Sequence, residues 1–265
     1  MGNRLRGRSD LEPLWKNVYE HVASRILSGH LRGGDRISEL RLAADTGVSR
    51  SPVREALGVL RAEGVLEHIT GQGVRVRDAD EPELREAFDV RRWLEAQAVA
   101  ALATRGLPGG DLARLRESCH EMAAILDRVQ ADDPAPLKPA VVAELVLNDS
   151  AFHETLLLAA GNQRVSKIVL DTRMVIHASK RPTLTLTLEE ATTMFVAHDG
   201  VLRAVQAREP IRARSLMLDH ISWAERRMLA ELRRPDAATR RTNASAMPQP
   251  TQPTLADSKT PDPLA

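Results

Sequence analysis

SELRLAADTGVSRSPVREALGVLRAE, residues 38–63, is the stretch that decides the fold of the front of the chain. It reads as two short helices joined by a tight turn. Ser38 stands where it caps the first, whose apolar positions are Leu40, Leu42, Ala43 and Ala44. Thr46-Gly47 ends that helix, because glycine tolerates the left-handed backbone of a sharp turn, and Val48 follows as a small apolar plug. Ser51 stands where it caps the second helix, with Pro52 in its first turn, where a missing N–H costs nothing. Val53, Ala56, Leu57 and Leu60 then form an inward stripe and leave Arg50, Arg54 and Arg61 outward. Helix, tight turn and second helix with a basic outer face is the layout of a DNA-reading helix-turn-helix.

Outward arginines alone also fit the solvated face of an ordinary helical hairpin. The next segment decides between the two readings. Val65 to Ile69 alternates like a strand, Thr70-Gly71-Gln72-Gly73 is a turn, and Val74 to Arg77 alternates again, so a β-hairpin carries arginines beside its tip. With a first helix over Leu14 to Ser28, ended by Gly29, this predicts a winged helix over residues 13–78. Residues 1–12 carry Arg4, Arg6 and Arg8 in a polar context and read as a flexible arm.

The chain of 265 residues has room for a second domain, and its net charge of only +1 shows that the basic character is local to the front. A single cysteine, Cys119, excludes an intrachain disulfide; it falls on a helical stripe with Leu115 and Met122 and reads as core. Aromatic residues at 3% argue against a stacking platform for single-stranded nucleic acid. With no spanning-length apolar run and no signal-peptide core, the expected location is the cytoplasm, with no membrane contact.

From Glu83 onward the pattern is helical almost throughout. Residues 78–82 read as a hinge, Glu83 to Arg105 as a long helix ended by Gly106, and Asp111 to Val129 as a helix capped by Asp111. After a Pro-rich loop at 131–139 come helices over Ala140 to Ala160 and Gln163 to Lys180. Thr183 to Leu188 alternates like a strand, a pattern discounted for want of a partner strand. Thr187-x-x-Glu190 is a capping box for a fifth helix through Ala207, and Pro210 opens a sixth to about Arg233. Residues 79–233 are therefore an antiparallel all-α bundle of about six helices, and 234–265, rich in Pro, Thr and Ser, read as a disordered tail.

Four polar residues interrupt the apolar faces of that bundle. Asp149 and His153 sit at i and i+4 among Leu145, Val146, Leu156 and Leu157; His198 lies in line with Met194, Val201 and Val205; His220 lies in line with Ala213, Leu216 and Met217. Converging, they make an Asp-His-His-His set suited to Zn²⁺, Ni²⁺ or Mn²⁺. Taken one at a time, each histidine also fits a satisfied core residue. Arg91, on the inward stripe between Phe88 and Glu95, fits either an i,i+4 pair with Glu95 or a clamp for a carboxylate.

Two resemblances bear on these alternatives. Residues 14–78 resemble the N-terminal domain of the GntR family of bacterial transcription regulators, through Ile37-Ser38-Glu39, Leu42-Ala43, Gly47 to Leu57, Leu60, Glu63-Gly64 and Gly71. The resemblance implies operator contacts from Arg50, Ser51 and Arg54, with Gly71 of the wing close to the minor groove. A further contact arginine of relatives falls here on Leu40 and is not carried over. Residues 83–230 resemble the FCD effector domain of the FadR-type branch, through Arg91-x-x-Leu94-Glu95, Asn148-Asp149-x-x-Phe152-His153, Gly161-Asn162, Ala197-His198-Asp199 with Leu202, and Ala213-Arg214 with His220. It implies a divalent metal on Asp149, His153, His198 and His220, and a small carboxylate effector held by Arg91. His177, outside the family's metal set, is read as an effector-pocket residue.

The expected function is a ligand-responsive transcriptional repressor, a homodimer on near-palindromic duplex DNA, and not an enzyme. Two rivals stand beside it: a metal-dependent hydrolase, with Glu95 or Glu154 as weak candidates for its base, and a dimerisation bundle around a purely structural metal.

Overall fold

The computed structural model describes residues 13–129, 136–179 and 185–233. The expected arm at 1–12, the expected tail at 234–265, and parts of the 131–139 loop and the Thr183–Leu188 pattern lie outside the described residues. The front half runs α1 (Leu14–Leu27), β1 (Arg36–Ile37), α2 (Glu39–Thr46), α3 (Arg50–Ala62), β2 (Leu66–Ile69) and β3 (Gly73–Val76). Ser38 caps α2 by accepting a hydrogen bond from the Arg41 N–H, and Gly47 closes it in the left-handed region at φ 67°. Truncating such a cap typically costs about 1 kcal/mol, so Ser38→Ala is expected to lower stability by that amount in urea titration without changing the fold.

One detail here differs from the sequence expectation. Helix α3 starts two residues earlier than expected: Ser49, not Ser51, is its N-cap residue, Arg50 its first helical residue, and Ser51 lies inside it with an exposed side chain. Proline is tolerated throughout the first turn, so Pro52 did not fix the start. Of the apolar positions read on α2, Leu42 is buried and Leu40 is 65% exposed.

The hairpin of β2 and β3 forms as expected, with Leu66 opposite Val76 and Ile69 opposite Gly73. A third strand was not expected: β1 pairs antiparallel to β3, Arg36 opposite Arg75 and Ile37 opposite Val74, giving the order β1-β3-β2. Val18, Val22 and Ile26 of α1 meet Val53, Leu57 and Leu60 of α3 and Val76 of the sheet in one apolar cluster, which Met174 and Ala178 complete from further along the chain.

Six helices follow: α4 (Glu81–Arg105), α5 (Gly109–Arg128), α6 (Pro139–Ala159), α7 (Gln163–Ala178), α8 (Leu188–Gln206) and α9 (Pro210–Leu232). The 78–82 hinge is shorter than expected, because Asp80 and Glu83 form a capping box that starts α4 at Glu81. Asp111 is not a cap; α5 begins at Gly109 after Pro108, and Asp111 lies in its first turn, where a carboxylate favours the helix dipole. The expected Thr187–Glu190 capping box starts α8. Thr185 to Thr187 form no strand among the described residues. Phe88, Leu102, Leu115, Phe152, Met217 and Ile221 are buried together in the bundle core, and Cys119 joins them. Burial, with Asp199 nearby, pushes the Cys119 thiol up to about 11, as a structural rather than a reactive cysteine requires.

Candidate metal centre and nucleic-acid interface

Helices α6, α8 and α9 each turn one or two polar side chains into the bundle. Asp149, His153, His198 and His220 offer ligand atoms that all lie within 4.8 Å of one another. His153 Nε2 is 3.1 Å from His220 Nε2, and Asp149 Oδ1 is 3.6, 3.2 and 3.9 Å from the Nε2 atoms of His153, His198 and His220. All three rings are buried. The four residues singled out from the sequence thus converge.

Neighbours fix each group. Glu95 Oε2 lies 2.6 Å from His153 Nδ1, which places the ring proton there and turns the Nε2 lone pair inward. Phe152 stacks on His198 with ring centroids 4.1 Å apart. Arg173 Nη2 donates to Asp149 Oδ2 at 2.6 Å. Burial, then the Arg173 cation, pushes the His153 imidazole down to about 4. Burial, with the His198 and His153 rings, holds His220 well below the usual histidine value. Burial alone would raise the Asp149 carboxyl, but Arg173, then His153 and His198, hold it well below the carboxylate range. Neutral imidazoles and an ionised carboxylate are the forms that bind metal.

These residues fit a divalent ion. A metal bound to imidazole at about 2.0–2.1 Å separates neighbouring ligand atoms by roughly 3.0–3.4 Å, the range of the His153–His220 and Asp149–His198 spacings, while the remaining pairs are wider, up to 4.8 Å. The Nε2 atoms of His153 and His220, two buried imidazole nitrogens, face each other at 3.1 Å, and His198 Nε2 lies 3.2 Å from Asp149 Oδ1. Polar atoms packed this closely around one point, away from water, suit a shared cation.

Arg91 is buried and donates through Nε to Glu95 Oε1 at 2.6 Å, so the i,i+4 pair is real. It also lines a cavity of about 70 Å³ beside the metal set, together with Phe88, Asp149, Arg173, His177 and Trp223. Burial, then Arg173, brings the His177 imidazole down to about 3, so it faces this cavity neutral. Two residues were missed from sequence. Arg173 is 3% exposed, and its Nη1 has no partner. Its signal was an arginine on the apolar stripe of Val169 and Ile176, the same signal that marked Arg91. Glu95 was read as a weak base, whereas it is fully engaged by Arg91 and His153. Glu95→Gln is expected to weaken zinc binding about 10- to 100-fold in competition with a chromogenic chelator, as loss of a group orienting a ligand histidine does.

On the other face of the molecule, Arg50, Ser51 and Arg54 are exposed on the first turns of α3. Arg54 Nε donates to Glu39 Oε2 at 2.9 Å, which aims its guanidinium from the α2 side. Gly71 turns the wing at φ 75°. Beside it Arg36 Nη2 donates to Gln72 Oε1 at 2.9 Å, so strand β1 adds a cation to the wing tip. An exposed helix start and a basic wing on one domain are what a major groove and its flanking phosphates require.

A winged helix followed by a helical bundle with a buried donor set defines a two-part sensor and DNA reader. The model for bacterial regulatory proteins of the gntR family matches residues 14–76, and the FCD domain model matches residues 86–222. The chain belongs to the GntR family of bacterial regulators, in the branch that carries an FCD domain. The HTH-type transcriptional regulator LutR of Bacillus subtilis (strain 168) is 28% identical over 220 residues, 76% of this chain and 94% of that protein. The gluconate operon transcriptional repressor of the same organism is 26% identical over 208 residues, 77% of this chain and 78% of that protein. The HTH-type transcriptional repressor GlaR of Escherichia coli (strain K12) is 26% identical over 209 residues, 77% and 90% of the two chains. Among solved structures, E. coli McbR/YncC superposes with a TM-score of 0.70 at 19% identity, over 84% of this chain and 100% of that one. A putative GntR regulator of Rhodococcus sp. RHA1 gives 0.60 at 22% identity, over 82% and 97%. At these identities the structural likeness speaks to fold alone.

The protein is therefore a DNA-binding transcriptional regulator with a ligand-binding, metal-associated domain, and not an enzyme. Of the two carboxylates weighed as a hydrolase base, Glu95 is paired with His153 and Arg91, and Glu154 is exposed. No described helix is long and apolar enough to cross a membrane.

Proposed function

We propose that the chain is a cytoplasmic homodimeric repressor that releases a near-palindromic operator when a short organic acid binds its bundle. Residues 13–78 form the reading head and 79–233 the sensing domain. Arg50, Ser51 and Arg54 meet bases and phosphates in the major groove, and Gly71 brings the wing backbone to the minor groove. Asp149, His153, His198 and His220 hold the metal, and a nitrogen–oxygen set without thiolate suits Zn²⁺, Ni²⁺ or Mn²⁺. When bound, the ion supplies a positive charge that a carboxylate oxygen can join.

One observation carries the reading: a buried donor set opens onto a cavity walled by guanidinium groups. Arg91 and Arg173 orient an incoming carboxylate, Phe88 and Trp223 exclude water from it, and His177 offers a neutral ring. About 70 Å³ is several times the roughly 10–15 Å³ that one water needs on the same measure, room for a short organic acid. The names of the relatives, a gluconate operon repressor among them, agree with sensing of this kind.

A thermal-shift screen of short acids with and without Zn²⁺, Ni²⁺ or Mn²⁺ tests it. A ligand at 100 times its Kd adds about 2.7 kcal/mol. That raises Tm by roughly 5–10 °C for a domain of this size. The expected result is an acid shift that requires the metal. Equal shifts without metal contradict the reading.

A further inference from the structure

Helix α7 touches the sensing pocket and the reading head at once. Its Arg173 holds the candidate metal ligand Asp149 at 2.6 Å and lines the pocket with His177. Its Met174 and Ala178 belong to the apolar cluster of the winged helix. Nearer its start, Lys167 Nζ donates to Glu63 Oε1 at 2.9 Å and to Asp171 at 3.0 Å. Glu63 is the C-cap residue of α3, the helix that presents Arg50 and Arg54, and the Tyr19 hydroxyl of α1 donates to its other oxygen at 2.9 Å.

We propose that α7 carries the occupancy of the metal pocket to the reading helix, through the cluster of Lys167, Glu63 and Tyr19. This rests on the sensing role given to the pocket above. A carboxylate in the pocket pairs with Arg173 through Nη1, which is buried without a partner, and pulls on the guanidinium that holds Asp149 through Nη2. A helix is stiff, and Lys167 lies only about 9 Å along the axis from Arg173. A shift of 1–2 Å at one end, the usual scale of such transitions, therefore reaches the other. Glu63 must follow, because its side chain is only 8% exposed and tied on both oxygens. A cleft of about 490 Å³ between α1, α3, α6 and α7 gives the movement room, and Arg173 and His177 form part of its wall too.

The test uses the full chain with a labelled duplex selected by the protein from a random pool. Operator affinity is measured by fluorescence anisotropy with Zn²⁺ alone and with Zn²⁺ plus a mixture of acetate, glycolate and malonate. The wild type is expected to change affinity about fivefold or more on adding the acids. Lys167→Met and Glu63→Gln are expected to lose that response while zinc affinity and ligand-free operator affinity stay within about twofold. The double variant is expected to lose no more than either single one, because all three break one contact. Lys167 is mostly exposed, so its variant keeps the fold. Single variants that respond like the wild type overturn the coupling and leave the sensing role intact. A wild type that ignores zinc and acids overturns both.

Discussion

Arg54→Ala is expected to abolish most operator binding while leaving the molecule folded. A guanidinium that reads a base edge contributes about 1–3 kcal/mol of discrimination. In the proposed homodimer two protomers on one operator double the loss, so binding weakens by about thirtyfold at the least. The cost to the fold is small. Arg54 is 63% exposed in its side chain, and its pair with Glu39 is a surface ion pair of the kind worth about 0–1 kcal/mol. Arg54→Lys is expected to fall between, because an ammonium keeps the charge but not the planar fork. Anisotropy titration and a thermal melt of each variant check both halves. An alanine variant that binds the wild-type operator unchanged removes α3 from the interface.

His153→Ala is expected to have the largest effect at the other end. It deletes a proposed metal ligand and also leaves Glu95, which bridges His153 and Arg91, with one partner fewer. Metal affinity is expected to fall by more than the roughly 10- to 100-fold typical of losing an outer-shell partner. The thermal shift with added zinc is expected to vanish. Metal content by plasma mass spectrometry after dialysis against zinc checks it. A full equivalent in the variant means that the ion sits elsewhere.

Much of this architecture is legible in the residues themselves. Asp149 and His153 stand out because charge and imidazole on an otherwise apolar helix face demand partners. Thr187 and Glu190 mark a helix start through local hydrogen bonds alone. Asp80, three residues before the expected start of α4 and inside what read as a hinge, carried the same signal together with Glu83. Other features depend on tertiary contacts. Strand β1 is two residues long, too short for any period, and exists only because β3 pairs with it. Glu95 looked sufficiently explained by Arg91 on its own helix, yet its second oxygen reaches His153, 58 residues away. Arg173 acts across 24 residues on Asp149. The start of α3 moved to Ser49 because either serine suits an N-terminus.

The whole account turns on a link between a buried donor set and an exposed pair of arginines. The most direct test is the operator dissociation constant of the intact protein, chelated and then reloaded with zinc in the presence of a short acid identified by its thermal shift. The account predicts a change of about fivefold or more on reloading with the acid, and no such change in His153→Ala. Identical dissociation constants in the chelated and reloaded wild type would contradict it.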